Sequence, residues 1–134
     1  MKKEFSKAWI GSRQTRKQRK YRANAGTNTK RKLMSANLSE ELKKKYQRKS
    51  FTVRTGDKVK VMAGEFKGKE GKLSLVDMRK MKVAIEGIQL TKKDGTKINS
   101  MFDSSKLQIQ ELNLTDKKRE ESLKNKNKTA EVKK

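Results

Sequence analysis

Any chemistry in this 134-residue chain proceeds without cysteine or histidine, since neither occurs. Thiolate nucleophiles, disulfides, imidazole bases and the usual zinc ligands are therefore excluded. The densest arrangement of chemically useful residues is Thr55-Gly-Asp-Lys-Val-Lys-Val-Met-Ala-Gly-Glu-Phe-Lys-Gly-Lys-Glu-Gly-Lys-Leu73. Gly64, Gly68 and Gly71 are spaced four and three apart, with Lys67, Lys69 and Lys72 around them. Such a loop admits positive φ values and lets backbone and lysines approach a phosphate closely. The same glycines also serve plain hairpin geometry, and the residues alone weigh the two readings equally. A nucleotide-triphosphate loop is excluded, because no G-x-x-x-x-G-K-[ST] occurs. Asp57, Glu65 and Glu70 raise the question of an acid–base or metal site. All three lie near lysines and read as surface groups that space out positive charge, so no catalytic residue, metal site or cofactor is expected.

The second chemical feature is an excess of cations. Lys and Arg number 38 against 15 Asp and Glu, a formal net charge of +23. A chain this charged repels itself when compact unless it meets a polyanion. The excess is concentrated at the start: residues 1–49 carry +14, residues 50–112 carry +5 and residues 113–134 carry +4. Within the first 36 residues, Arg13, Arg16, Lys17, Arg19, Lys20 and Arg22 form one cluster and Lys30, Arg31 and Lys32 another, interleaved with Trp9 and Tyr21. Flat side chains among cations suit stacking on bases beside a phosphate backbone, and this favours an RNA-contacting arm over a merely solubilising tail. The arm shows no helical or alternating apolar period, and it is expected to be disordered on its own.

The elements that position these groups are legible from apolar spacing. Leu, Ile, Val and Phe total 25 of 134 residues, and 18 of the 25 fall between residues 50 and 114. The organisation expected is thus a basic arm over 1–36, a short helix over 37–49, a folded module over 50–114 and a basic tail over 115–134. In the short helix Asn37 serves as N-cap, Glu40 completes a capping box, and Leu38, Leu42 and Tyr46 form the stripe. Lys44 and Arg48 then face solvent or phosphate.

From Phe51 the period becomes two. Phe51 and Val53 precede a Thr55-Gly56-Asp57 turn. Val59, Val61 and Ala63 follow, then Leu73 with Leu75, then Met81, Val83 and Ile85, then Ile88 and Leu90. Asp94-Gly95 marks a two-residue hairpin before Ile98. A last strand carries Leu107 and Ile109, then slips phase at Leu112, as a bulge or strand end would. Four to six short antiparallel strands in this length favour a small half-open barrel, since one flat sheet would leave a face and two edges bare. After Leu114, Thr115 or Asp116 starts a helix reaching Leu123, and the last dozen residues are expected to be disordered. No secretory leader or membrane-spanning run is found, which predicts a cytoplasmic protein without membrane insertion.

Gly56-Asp57, Val59, Val61, Gly64, Lys67-Gly68 and Gly71 resemble the KOW motif, the strand–loop–strand unit of ribosomal and transcription-elongation proteins. The flanks Arg31-Lys-Leu-Met-Ser-Ala-Asn-Leu-Ser-Glu-Glu-Leu-Lys-Lys-Lys-Tyr46, Asp94-Gly-Thr96, Ser105-Lys106-Leu107 and Leu112-Asn-Leu-Thr-Asp-Lys-Lys-Arg119 resemble the universal large-subunit ribosomal protein twenty-four family in its archaeal and eukaryotic form, called twenty-six in eukaryotes. The resemblance departs from the family pattern where prolines would stand near Ala36-Asn37 and Ser104-Ser105. It implies a mainly β, SH3-like barrel that binds large-subunit (23S-type) rRNA toward the 5′ region, supports early subunit assembly and lies near the polypeptide exit tunnel. Its partners would be that rRNA, neighbouring ribosomal proteins and nascent-chain factors at the tunnel exit, with no homo-oligomer. The expected RNA-binding residues are Lys58, Lys60, Lys67, Gly68, Lys69, Lys72, Arg79, Lys80 and Lys82 on the barrel, with the arm cations, Trp9, Tyr21, Lys44 and Arg48. A KOW-bearing transcription or chromatin protein is the rival reading. Against it, no separate folded domain precedes the KOW segment.

Overall fold

Alternating Lys58, Val59, Lys60 and Val61 should bury one face of a strand and leave the other wet, and in a computed structural model describing residues 11–123 both valines are fully buried. Helices α1 (Thr15–Asn24) and α2 (Thr27–Leu33) lead into strand β1 (Ser35–Leu38), helix α3 (Glu40–Tyr46) and strand β2 (Ser50–Thr52). Strands β3 (Lys58–Val61), β4 (Glu70–Asp77), β5 (Lys82–Thr91) and β6 (Lys97–Phe102) follow, then a 3-10 turn (Ser104–Lys106) and strand β7 (Leu107–Glu111). Residues 117–123 form a further helix. Among the described residues the seven strands make one sheet in the order β2-β1-β7-β3-β4-β5-β6. The fold is mainly β, a small SH3-like barrel with a short preceding helix and basic extensions.

The core explains the order. Val59 pairs with Ile109 and Val61 with Leu107, while β4 lies antiparallel on the other side of β3. Leu38, Val59, Val61, Leu73, Val83, Ile85, Leu107 and Ile109 form the buried cluster, each contributing roughly 1.5–3 kcal/mol by its removal from water. Gly71 lies where β4 crosses close to β5. A Cβ there would come 2.6 Å from Ile85 Cγ2 and 2.9 Å from the Glu86 carbonyl oxygen.

Several sequence expectations are corrected. The helix read over 37–49 begins at Glu40, capped by Ser39, whose Oγ accepts from the Leu42 N–H at 3.4 Å. Asn37 instead sits in β1, which runs parallel to β7 and antiparallel to β2. The physical reason is that Met34, Ala36 and Leu38 alternate into the core, and this period-two burial outweighs one helical turn. The arm, expected to lack regular structure, is helical in α1 and α2. Neither helix buries a residue, so no apolar stripe announces them; the helix propensity of Arg, Lys, Gln and Ala carries α1. The sheet is not wholly antiparallel; residues 50–114 hold six strands, within the four to six expected there, and β1, from outside that stretch, is the seventh.

The spacing puts Leu75 on the face of Leu73. A register shift between them turns Leu75 outward, 51% exposed against 1%. Ala63 lies beyond the end of β3 and is exposed, and Met81 closes the turn before β5 with φ +55°. The Asp94-Gly95 hairpin is not a two-residue one. The Gly95 N–H donates to the Lys92 carbonyl at 3.0 Å and the Lys92 N–H to the Thr96 carbonyl at 2.9 Å. Only Gly95, at φ +82°, is left-handed there, the signature of a type I turn followed by a glycine bulge.

Candidate nucleic-acid interface

The glycine loop between β3 and β4 is closed on itself. The Gly68 N–H donates to the Val61 carbonyl at 2.8 Å, Lys67 N–H to Gly64 O at 3.1 Å and Lys69 N–H to Phe66 O at 3.1 Å. Gly68, at φ +89° with open space where a Cβ would stand, serves the turn. Because these N–H groups already have acceptors, an anion here is met by side chains rather than by a backbone nest. Phe66 anchors the loop edge-on against Phe102, centroids 5.9 Å apart, and Lys69 Nζ lies 4.9 Å from the Phe66 ring centroid. Lys67 and Lys72 stand exposed, and neither has an ion pair among the described residues.

The remaining barrel cations divide by neighbour. Lys58 pairs with Glu111 at 3.0 Å, Lys60 with Glu70 at 3.1 Å and Lys82 with Asp103 at 2.7 Å. All are solvent-exposed pairs of small energetic weight. The hydrogen bond to Glu111 raises the Lys58 pKa above its ordinary value. Arg79 and Lys80 sit at the exposed β4–β5 turn, their N–H groups donating to Asp77 Oδ1 at 2.8 and 3.0 Å. Those bonds, the Lys80 one foremost, hold the Asp77 carboxyl below its ordinary range.

Asp57 is not the surface group that the sequence predicts. It is fully buried, and both oxygens are occupied: Oδ2 accepts from the Arg54 N–H at 2.9 Å and Oδ1 from the Asn113 N–H at 2.9 Å. Arg119 completes the shell with Nη1 to Oδ1 and Nη2 to Oδ2, both 2.7 Å. The guanidinium also donates to the carbonyls of Asn113 and Thr52. A buried carboxylate survives only when its lone pairs are met this fully. This node fastens the helix at 117–123 to the barrel, and Leu123 is fully buried at its end.

That docked helix forms one wall of a cleft of about 580 Å³, the others being α2 and β2 with its flanks. Arg31, Lys32, Arg48, Arg54, Lys118 and Arg119 line it. Among the described residues Asp116 is the one acidic side chain in the lining, and its Oδ2 accepts from Arg54 Nη1. That bond, with the backbone N–H groups of Lys118 and Arg119, holds the Asp116 carboxyl below its ordinary range. Arg48 donates to the Ser122 carbonyl, and the guanidinium groups of Arg48 and Arg119 each lie 5.4 Å from the Phe51 ring centroid.

The fold thus brings three of the expected residues together, Arg31, Lys32 and Arg48, in the cleft. The loop cations Lys67 and Lys69 lie beyond the far end of β3, whereas Lys72 stands on β4 opposite Lys58, the first residue of β3. Arg13, Arg16, Lys17, Arg19, Lys20 and Arg22 are exposed on or just before α1, Lys30 is half-buried, and Lys44 is exposed on α3. Tyr21 is half-buried in a shallow groove with Gln18 and Leu33. Trp9 lies outside the described residues, as do the last eleven positions.

Comparison with known proteins gives this arrangement a family. The family model that describes the ribosomal proteins L26 of eukaryotes and L24 of archaea matches residues 12–126. The chain belongs to that family. It is 46% identical over 114 residues to the large ribosomal subunit protein uL24 of Methanoculleus marisnigri, covering 85% of this chain and 94% of the relative. The corresponding protein of Korarchaeum cryptofilum is 43% identical over 117 residues, 87% of this chain and 89% of the relative, and that of Methanosarcina barkeri is 42% identical over 113 residues, 84% and 97%.

For a ribosomal protein of this family, sequence reasoning missed the cleft residues Arg54, Asp116, Lys118 and Arg119. One signal was available. Arg119 and Leu123 are one helical turn apart, so a helix docking Leu123 carries Arg119 inward with it.

Proposed function

We propose that this chain is a structural constituent of the cytoplasmic large ribosomal subunit and binds large-subunit rRNA through side-chain cations on a rigid barrel. Family membership across residues 12–126 carries the reading. The physical support is a charge of +23, displayed on exposed helix α1, on the KOW loop and in the cleft. Cations held against a polynucleotide displace its condensed counterions, which gives affinity without base reading. The family is a structural one, and the proposal contains no catalytic step.

The expected residues take roles within that scheme. The arm over 1–36 supplies cations that reach along RNA, with Tyr21 and Trp9 as stacking groups. Lys67 and Lys69 meet phosphate at the loop end of β4, Lys58, Lys60 and Lys72 along the paired β3 and β4, Arg79, Lys80 and Lys82 at the opposite end of β4, and Lys44 and Arg48 from α3 and its end. Contact with the 5′ region of the rRNA, a part in early assembly, and a position near the exit tunnel among other ribosomal proteins and nascent-chain factors follow from the family resemblance. The test is sedimentation of the tagged protein: it should travel with large subunits and stay through a moderate salt wash. Recovery only in the ribosome-free fraction would sink the reading.

A further inference from the structure

We propose that the cleft between α2, β2 and the C-terminal helix is a binding site for the phosphodiester backbone of RNA, and that Asp116 occupies it in the free protein as an internal stand-in for phosphate. The site rests on the RNA-binding reading above and gives it a location. Its cations come from three stretches far apart in sequence, Arg31 with Lys32, Arg48 with Arg54, and Lys118 with Arg119, so their concentration is made by folding and not by a tail. Arg119 is only 3% exposed and stays committed to Asp57, so the cations left to meet a ligand are Arg31, Lys32, Arg48, Arg54 and Lys118. A wall of accessible cations favours a polyanionic ligand.

The Arg54–Asp116 contact shows how that ligand would enter. A carboxylate bound to a guanidinium inside a cationic cleft holds the position of a phosphate oxygen, and the arginine fork matches phosphate as well as carboxylate. An exposed pair of this kind is weak, so RNA can take Arg54 over while Asp116 turns to solvent. Ser35, Ser50 and Thr52 line the same space, and side chains of this kind are common donors to phosphate oxygens.

The experiment measures binding of the full chain to a transcript of archaeal large-subunit rRNA across a potassium chloride series. The R31Q/K32Q/K118Q variant removes three lining cations that make no ion pair among the described residues. It should lower the slope of log affinity against log salt by about 2, from roughly 0.7 per phosphate neutralised. D116N keeps an N-cap residue of equal quality and should bind severalfold tighter, a change opposite in sign to any loss of structure. If the unaltered chain binds with a salt-dependent affinity while the triple variant keeps its slope and D116N gains nothing, the cleft proposal is overturned and RNA binding stands. If the unaltered chain shows no salt-dependent binding, the RNA reading itself falls. Competition by polyglutamate as effective as that of the transcript would reassign the cleft to an acidic protein segment and overturn the RNA site.

Discussion

Arg119 reaches back 62 residues to grip Asp57 with both prongs of its guanidinium, at 2.7 Å each, with side-chain exposures of 2% and 0%. The pair joins the first turn of the KOW segment to the chain's final described helix. It makes that helix part of the barrel, since Asp57 also accepts the N–H of Arg54 and of Asn113.

Removing one partner strands a buried charge. D57A is expected to destabilise the protein by about 3–5 kcal/mol, read as a shift of the urea midpoint. R119K keeps the charge and loses the fork, so it should fall between the native chain and R119A. A loss under about 1 kcal/mol for D57A would show that the node is incidental.

Two glycines of the KOW segment should fail for different reasons. In G71A the new methyl meets Ile85 Cγ2 at 2.6 Å and the Glu86 carbonyl at 2.9 Å, an overpacking that costs about 1–3 kcal/mol. In G68A the space is open but φ is +89°, so the loss is a conformational one of about 1 kcal/mol. Thermal unfolding of the two variants should rank G71A below G68A.

Acidification should weaken the fold through carboxylates alone, as the chain has no histidine. Asp77 and Asp116 both titrate below the ordinary 3.8 in the folded chain. The unfolded chain therefore binds more protons in that window, and stability declines as pH falls from about 4 through the depressed values. D77N should flatten part of that acid slope in circular dichroism at fixed temperature. An identical slope in the variant would count against the Asp77 turn as a contributor.

In the loop and on β4, K67Q/K72Q should leave the melting temperature nearly unchanged, since neither lysine carries an ion pair among the described residues. Each phosphate that the variant no longer neutralises should lower the salt slope of rRNA binding by about 0.7–0.9. An unchanged slope would move RNA binding away from the loop. Adding K69Q should also loosen the loop, because Lys69 lies over the Phe66 ring.

The barrel was readable where one face of a strand is buried: Val59, Val61, Leu107 and Ile109 announce their strands by alternation alone. Residues 34–38 were not, because Leu38 belongs equally to an alternating run with Ala36 and to a helical stripe with Leu42; pairing with β7 decides between them. Leu75 was misjudged because a bulge has no side-chain signature of its own. The burial of Asp57 was invisible for a different reason. Its partner is one of 38 basic residues, and nothing near Asp57 in sequence singles out Arg119. The cleft inherits that invisibility, since its walls meet only once the helix at 117–123 is docked.

The place of β7 between β1 and β3 bears on synthesis of the chain. Among the described residues the last strand in the chain fills the middle of the sheet, so β1 and β3 each lack a neighbour until residue 111 has been translated. Native pairings such as Leu38 with Ile109 span most of the polypeptide, and pairings of that range form slowly. The sheet thus closes only after residue 111 has been translated, long after the basic N-terminal segment has been made. The +14 of residues 1–49 is therefore in place before the sheet that it flanks can form.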